Sequence, residues 1–230
     1  MEVWKSLVGS VALACAPLVG IAADLTPIEM RWLKGAWPVV VFAKESRMPL
    51  DIVVQPQATP GASPMALAYV DNRCKLVLSM RGNAEAQATL DRIPPDLIDA
   101  ALELMAAHEL GHCRRYLDGA WFGVPAGFVA SVPTTVSADV QAAYANMSAV
   151  RREEGYGDLV GLAWTEQRHP QLYERLRDWL LLERARNLQP GSHHDTLVWL
   201  RLTMDGNRLA HGSIFKRAQE LWTMGLGADD

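Results

Sequence analysis

The chain has 230 residues, half of them hydrophobic and 21% charged, with a formal net charge of −4. That length supports one full hydrophobic core. The weak net charge and the lack of any Lys/Arg block argue against nucleic-acid binding and against electrostatic steering to an anionic membrane.

The N-terminus differs from the rest. "MEVWK" is followed by an uncharged apolar run from Ser6 to Ala23, which stops at Asp24. The run resembles a secretory signal peptide, with Gly20, Ala22 and Ala23 where cleavage can occur, although Glu2 offsets Lys5 in the leading segment. Residues 1–23 are therefore expected to be a signal peptide or an N-terminal membrane anchor. Pro17 within the run makes it a poor spanning helix, and a buried N-terminal helix is a further alternative. Residues 24–230 are expected to form one domain that works outside the cytoplasm, periplasmic or secreted in a bacterium. Past the leader, two cysteines remain, Cys74 and Cys113. An even count in an exported chain points to one disulfide, two buried thiols being the alternative.

From Trp37 to Met80 the pattern predicts strands. "WPVVVFA", "LDIVVQ", "MALAYV" and "CKLVLSM" are short Val/Leu/Ala-rich runs, separated by turn-like "KESRMP", "PQATPGASP" and "DNR". "AYVDNRCKLVL" reads as a hairpin. The character changes after "RGN". "PPDLIDAALELMAAHELGHCRRYLDG" predicts a helix, with Asp96 as its cap, apolar residues at helical spacing and a stop at Asp118–Gly119. Residues 119–136 form a Gly/Pro-rich yet apolar loop, long enough to suggest function or mobility. Helices are then predicted over 137–166, 170–187, 193–204 and 213–224. Strands followed by helices imply an α+β fold, with a sheet and one helix in 24–118 and a helical part in 137–230.

Within the predicted helix, "HELGH" places His108 and His112 four residues apart, on one face about one turn from each other. Two imidazole nitrogens so placed can ligate one zinc ion. Glu109, bordering that face, can reach a water on the same ion and act as general base. The alternative is a pair of core histidines bonded to backbone. Gly111, costly inside a helix, suggests close approach by another element. Downstream, "RREEGYGDLVGLAW" puts Glu154 and Asp158 at i and i+4. Glu154 can serve as third ligand, and Asp158 can accept the free ring N–H of a liganding histidine. Standing alone, the pair would read as a solvated acidic patch beside Arg151 and Arg152. Neighbouring Glu153 points about 100° away and is expected in a solvated pair with an arginine.

Together, "HELGH" and the Glu154-x-x-x-Asp158 pair make the chain resemble the zincin metallopeptidases of gluzincin type, most like the M48 (Ste24/HtpX-like) peptidases. The similarity covers about residues 65–165. It implies a zincin-like fold, one zinc per chain on His108, His112 and Glu154, and Glu109 as general base. It further implies that the edge strand of a hairpin like "MALAYVDNRCKLVLSM" binds extended substrate. Two positions depart from the family pattern: Arg114, where an apolar residue is usual, and Gly157, where alanine is usual.

"GSHHDTLVWLRL" places His193 and His194 at a predicted helix start. It distantly resembles a His-Pro-x-Thr segment of the same family, which implies substrate contact and a donor for an oxyanion; a polar capping stretch is the alternative. His169 and His211 are expected to be structural. The expected function is a zinc-dependent endopeptidase acting on peptides or proteins. The alternative is a non-catalytic zinc-binding module that docks a protein partner through the 119–136 loop. Glu109 favours catalysis, because a structural zinc site has no use for it and usually takes four protein ligands.

Overall fold

A capping box opens the first helix. The Thr26 hydroxyl accepts the Glu29 N–H, the Glu29 carboxylate accepts the Thr26 N–H at 2.7 Å, and Pro27 occupies the first helical position. The helix that follows, α1 (Pro27–Glu45), contains the whole of "WPVVVFA". The strand expected there does not exist. Trp32, Ala36, Val39 and Ala43 are buried at helical spacing, and packing of that face overrides the β-propensity of the valine run. The computed structural model describes residues 24–57, 59–128, 135, 137–186, 188–204 and 212–229. Residues 1–23, expected to be a signal peptide or anchor, most of 129–136 and His211 lie outside the described residues.

The remaining expected strands form as β1 (Leu50–Pro56), β2 (Met65–Val70) and β3 (Arg73–Arg81). β3 is central, parallel to β1 and antiparallel to β2. The β2–β3 hairpin turns through Asp71 and Asn72, both at positive φ (53° and 59°), the conformation that a two-residue hairpin loop requires and that Asp and Asn tolerate. β2 is left as an edge strand. Cys74, Leu76, Leu78 and Met80 of β3 are buried.

A short helix not expected from the sequence, α2 (Ala84–Arg92), follows, capped by the Asn83 side chain. A 3-10 turn over Pro95–Leu97 then leads into α3 (Ile98–Leu117). Asp96 does not cap α3; its carboxylate pairs with Arg175 at the surface. Cys74 and Cys113 are disulfide-bonded and fully buried, joining the central strand to α3.

The helical part comprises α4 (Ala138–Arg168), α5 (Tyr173–Ala185), α6 (Leu197–Arg201) and α7 (Ile214–Asp229). α4 runs antiparallel to α3, so Arg115 meets Glu153 and Leu104 meets Gly161. The helices touch backbone to backbone. A Cβ on Gly161 would lie 2.8 Å from the Leu104 carbonyl oxygen, and one on Gly111 3.1 Å from Val160. The close approach anticipated from Gly111 is thus supplied by α4. Trp199 of α6 and Trp222 of α7 are fully buried behind α4, the Trp222 indole donating to the Arg152 carbonyl at 2.7 Å. The observed class is α+β, a small three-stranded sheet with a larger helical part. Among the described residues no helix is long and apolar enough to cross a membrane.

Candidate metal centre

One turn apart on α3, the His108 and His112 rings stand perpendicular, their centroids 4.6 Å apart and their Nε2 atoms 3.0 Å apart. Across the helix crossing, Glu154 of α4 brings Oε2 to 3.4 Å from His108 Nε2 and Oε1 to 3.4 Å from His112 Nε2. One donor atom from each of the three residues lies within 4.8 Å of the others. Both histidines are buried. Gly157 makes this possible. A Cβ there would fall 2.7 Å from His108 Cε1, so an alanine at this position would displace the ring.

Asp158, one turn beyond Glu154, is fully buried. Its Oδ1 lies 2.9 Å from His108 Nδ1. Arg184 of α5 donates to both carboxylate oxygens at 2.8 and 2.6 Å, and the Thr196 hydroxyl donates to Oδ2 at 2.6 Å. Burial alone would favour the neutral acid, but Arg184 and His108 hold the Asp158 carboxyl far below its ordinary range. An ionised acceptor there places the His108 proton on Nδ1 and a lone pair on Nε2. That lone pair faces His112 Nε2 and the Glu154 carboxylate. Three electron-pair donors thus converge, and only a proton or a cation among them relieves the clash. Without a cation it is the proton. Burial opposes charge on His108, yet its bonds to Asp158 and Glu154 lift it to about 10. Likewise burial opposes charge on Glu154, but both histidines hold its carboxyl well below the usual range. Two imidazole nitrogens and a carboxylate oxygen are a donor set that suits zinc or a similar divalent ion.

A cavity of about 380 Å³ opens on this cluster, with the edge strand β2 contributing Met65, Ala66 and Leu67 to its lining. Glu109 lines it too, without an ion-pair partner among the described residues. Its carboxyl is raised by burial, against the pull of His108 and His112. His194 borders the cavity, its Nε2 3.8 Å from Glu154 Oε2, and it is mostly exposed. Burial and then Arg184 lower its pKa. His193 stacks edge-on against His194 at 4.6 Å but does not line the cavity. Both precede α6 by a turn rather than opening it, since the helix starts at Leu197. His169 Nε2 lies 3.1 Å from the Glu103 carboxylate and does not line the cavity.

Glu153 corrects the sequence reading. It is 1% exposed rather than solvated, accepts two hydrogen bonds at 2.9 Å from Arg115, and accepts the Phe122 N–H at 2.8 Å. Arg115 also donates to the Gly123 carbonyl at 2.6 Å. This buried pair fastens the turn after α3, where Phe122 adopts φ 61°. The turn carries Trp121, which meets His112 edge-on at 5.5 Å and stacks on Tyr116 at 4.0 Å; Tyr116 stacks in turn on Tyr69 of β2 at 4.9 Å. Arg184, Thr196 and Trp121 were not singled out in the sequence. Only Thr196, at the Thr position of the His-Pro-x-Thr-like segment, carried a signal. Comparison with protein-family models, with curated proteins and with solved structures finds no match to this chain.

Proposed function

We propose that the chain is an exported zinc-dependent endopeptidase with a zincin-like centre of gluzincin type. The observation that supports this most is the convergence of His108 Nε2, His112 Nε2 and the Glu154 carboxylate at the mouth of a cavity, with Asp158 fixing the His108 tautomer and Glu109 beside them. Bound on these three residues, zinc would supply Lewis acidity for a scissile carbonyl and for water. Glu109 takes the proton from the attacking water and returns it to the leaving amine; a carboxyl raised by burial is suited to hold it in between. His194 can donate to the developing oxyanion. β2, at the edge of the sheet, offers its outer backbone groups to an extended substrate segment. The Cys74–Cys113 disulfide supports export, because such bonds persist in oxidising compartments.

Metal analysis of the purified protein, joined to a hydrolysis assay on unfolded and peptide substrates with and without chelator, tests this reading. One zinc per chain and chelator-sensitive cleavage are expected. Glu109→Gln should retain zinc and lose about 10²–10⁴-fold in rate. Zinc without any cleavage would favour the non-catalytic module, and a fully active Glu109→Gln would remove the mechanism.

A further inference from the structure

α4 reaches far beyond the helix it packs on. Arg115, two residues before α3 ends at Leu117, already meets Glu153, whereas α4 begins at Ala138, about four turns earlier. The first three turns of α4 are therefore not covered by α3. A helix so exposed normally carries charge on its solvent face. Here residues 138–150, "ADVQAAYANMSAV", hold a single charged side chain, Asp139. Val140 is 52% exposed, Tyr144 39% and Met147 37%.

Those apolar residues are not scattered. At 100° per residue, positions 140, 143, 147, 150 and 154 fall on one face, with 144 at its margin; Arg151 falls on it too, but its guanidinium donates to the Asp195 carbonyl and lies over Trp199 of α6. Val150 and Glu154 on that face line the cavity. One stripe, uncharged from Val140 to Val150, thus leads along the helix from solvent toward the third candidate ligand. The distance from 154 to 140 is about 21 Å along the axis, the reach of about six residues of extended chain. An apolar stripe whose one cation is engaged by the Asp195 carbonyl and Trp199, and which is continuous with the cavity, favours apolar side chains of a polypeptide entering the site over a charged partner.

We propose that the exposed stripe Val140–Tyr144–Met147 is a docking track for the polypeptide substrate, engaging apolar residues several positions from the scissile bond. This rests on reading the centre as a peptidase. It names the substrate class as long, unfolded chains with apolar segments rather than short peptides.

The test is the triple variant Val140→Gln, Tyr144→Gln, Met147→Gln. It retains helix propensity and alters only exposed side chains. In the zinc-loaded Glu109→Gln background, binding of β-casein, an unfolded chain, should weaken about tenfold on adding the three substitutions, with zinc affinity unchanged. In the Glu109 background, kcat/KM should fall for peptides extending more than about six residues past the cleaved bond on one side and stay unchanged for shorter ones. Equal β-casein binding by both proteins, no binding by either, or an equal loss for peptides of every length would overturn the track. If β-casein binds through the stripe and no peptide is cleaved by wild type, the peptidase reading fails while the track stands.

Discussion

The Asp158 carboxylate and His108 Nδ1 lie 2.9 Å apart, on the side of the ring away from His112 and Glu154. Asp158 is in turn held by Arg184 and Thr196. The candidate ligand is thereby fixed in orientation and tautomer by groups from three further points of the chain. Asp158→Asn preserves the shape and removes the charge. It should lower zinc affinity about 10–100-fold, the range for such outer partners. Competition titration against a zinc chelator reads this directly, and unchanged affinity would show that the Asp158 bond does not tune the metal.

Glu153 and Glu154 are neighbours in sequence with opposite environments. Glu154 faces both histidines at 3.4 Å, whereas Glu153 lies in the buried pair with Arg115. Glu154→Ala should therefore abolish tight zinc binding. Glu153→Ala leaves a buried guanidinium without its partner, a change that costs about 3–5 kcal/mol. Its effect should appear in denaturant unfolding, with zinc stoichiometry retained in the folded fraction. A Glu153→Ala protein as stable as wild type would contradict the buried pair, and one that folds normally without zinc would exchange the roles of the two residues.

The metal-free protein should show a pH dependence that zinc removes. His108 has its folded pKa raised from 6.5 to about 10, so its contribution to stability is complete below its unfolded value and is lost as pH rises through the folded one. Glu154 is depressed, and its contribution is present above the ordinary value of 4.5 and lost on acidification. Stability of chelator-treated protein should thus be highest between about pH 4.5 and 6.5 and decline toward about pH 10. Zinc displaces the His108 proton, so zinc-saturated protein should lack the alkaline decline, and zinc affinity should rise with pH over the same window. Denaturant midpoints at several pH values, with and without zinc, measure both. The same alkaline decline in zinc-saturated protein would place its source elsewhere.

What the sequence disclosed follows the range of the interactions. His108, His112, Glu154 and Asp158 were legible because i and i+4 positions meet on any helix, whatever surrounds it. The hairpin was legible because Asp71–Asn72 carries its own turn chemistry. "WPVVVFA" misled because three consecutive valines favour extended backbone locally, while the burial of Trp32, Ala36, Val39 and Ala43 that makes it a helix is tertiary. The Thr26-Pro27-Ile28-Glu29 capping box was nevertheless present to be read. Glu153 was misjudged for a similar reason. Its register relative to Glu154 is local, but the Arg115 that receives it comes from another helix. Arg184 bears no spacing relation to the motifs, and only the packing of α5 against α4 brings it to Asp158.

The disulfide connects the fold to the expected site of action. Cys113 directly follows His112 in α3, and Cys74 lies in the central strand, 39 residues earlier. Such a closed loop is worth roughly 4 kcal/mol in the chain-entropy model. The bond also anchors the turn of α3 that carries the candidate ligand His112 to the sheet, so its loss should be felt at the candidate centre as well as in stability. Cys74→Ala with Cys113→Ala should unfold at lower denaturant concentration and bind zinc more weakly when folded. Protein recovered from its native compartment should contain no free thiol at either position, and its N-terminus should lie near Ala23 or Asp24. Mass spectrometry after alkylation without reductant decides both points. An intact Met1 together with two alkylated cysteines would place the chain in a reducing compartment and overturn the export reading, leaving the metal centre to be judged by the zinc titrations alone.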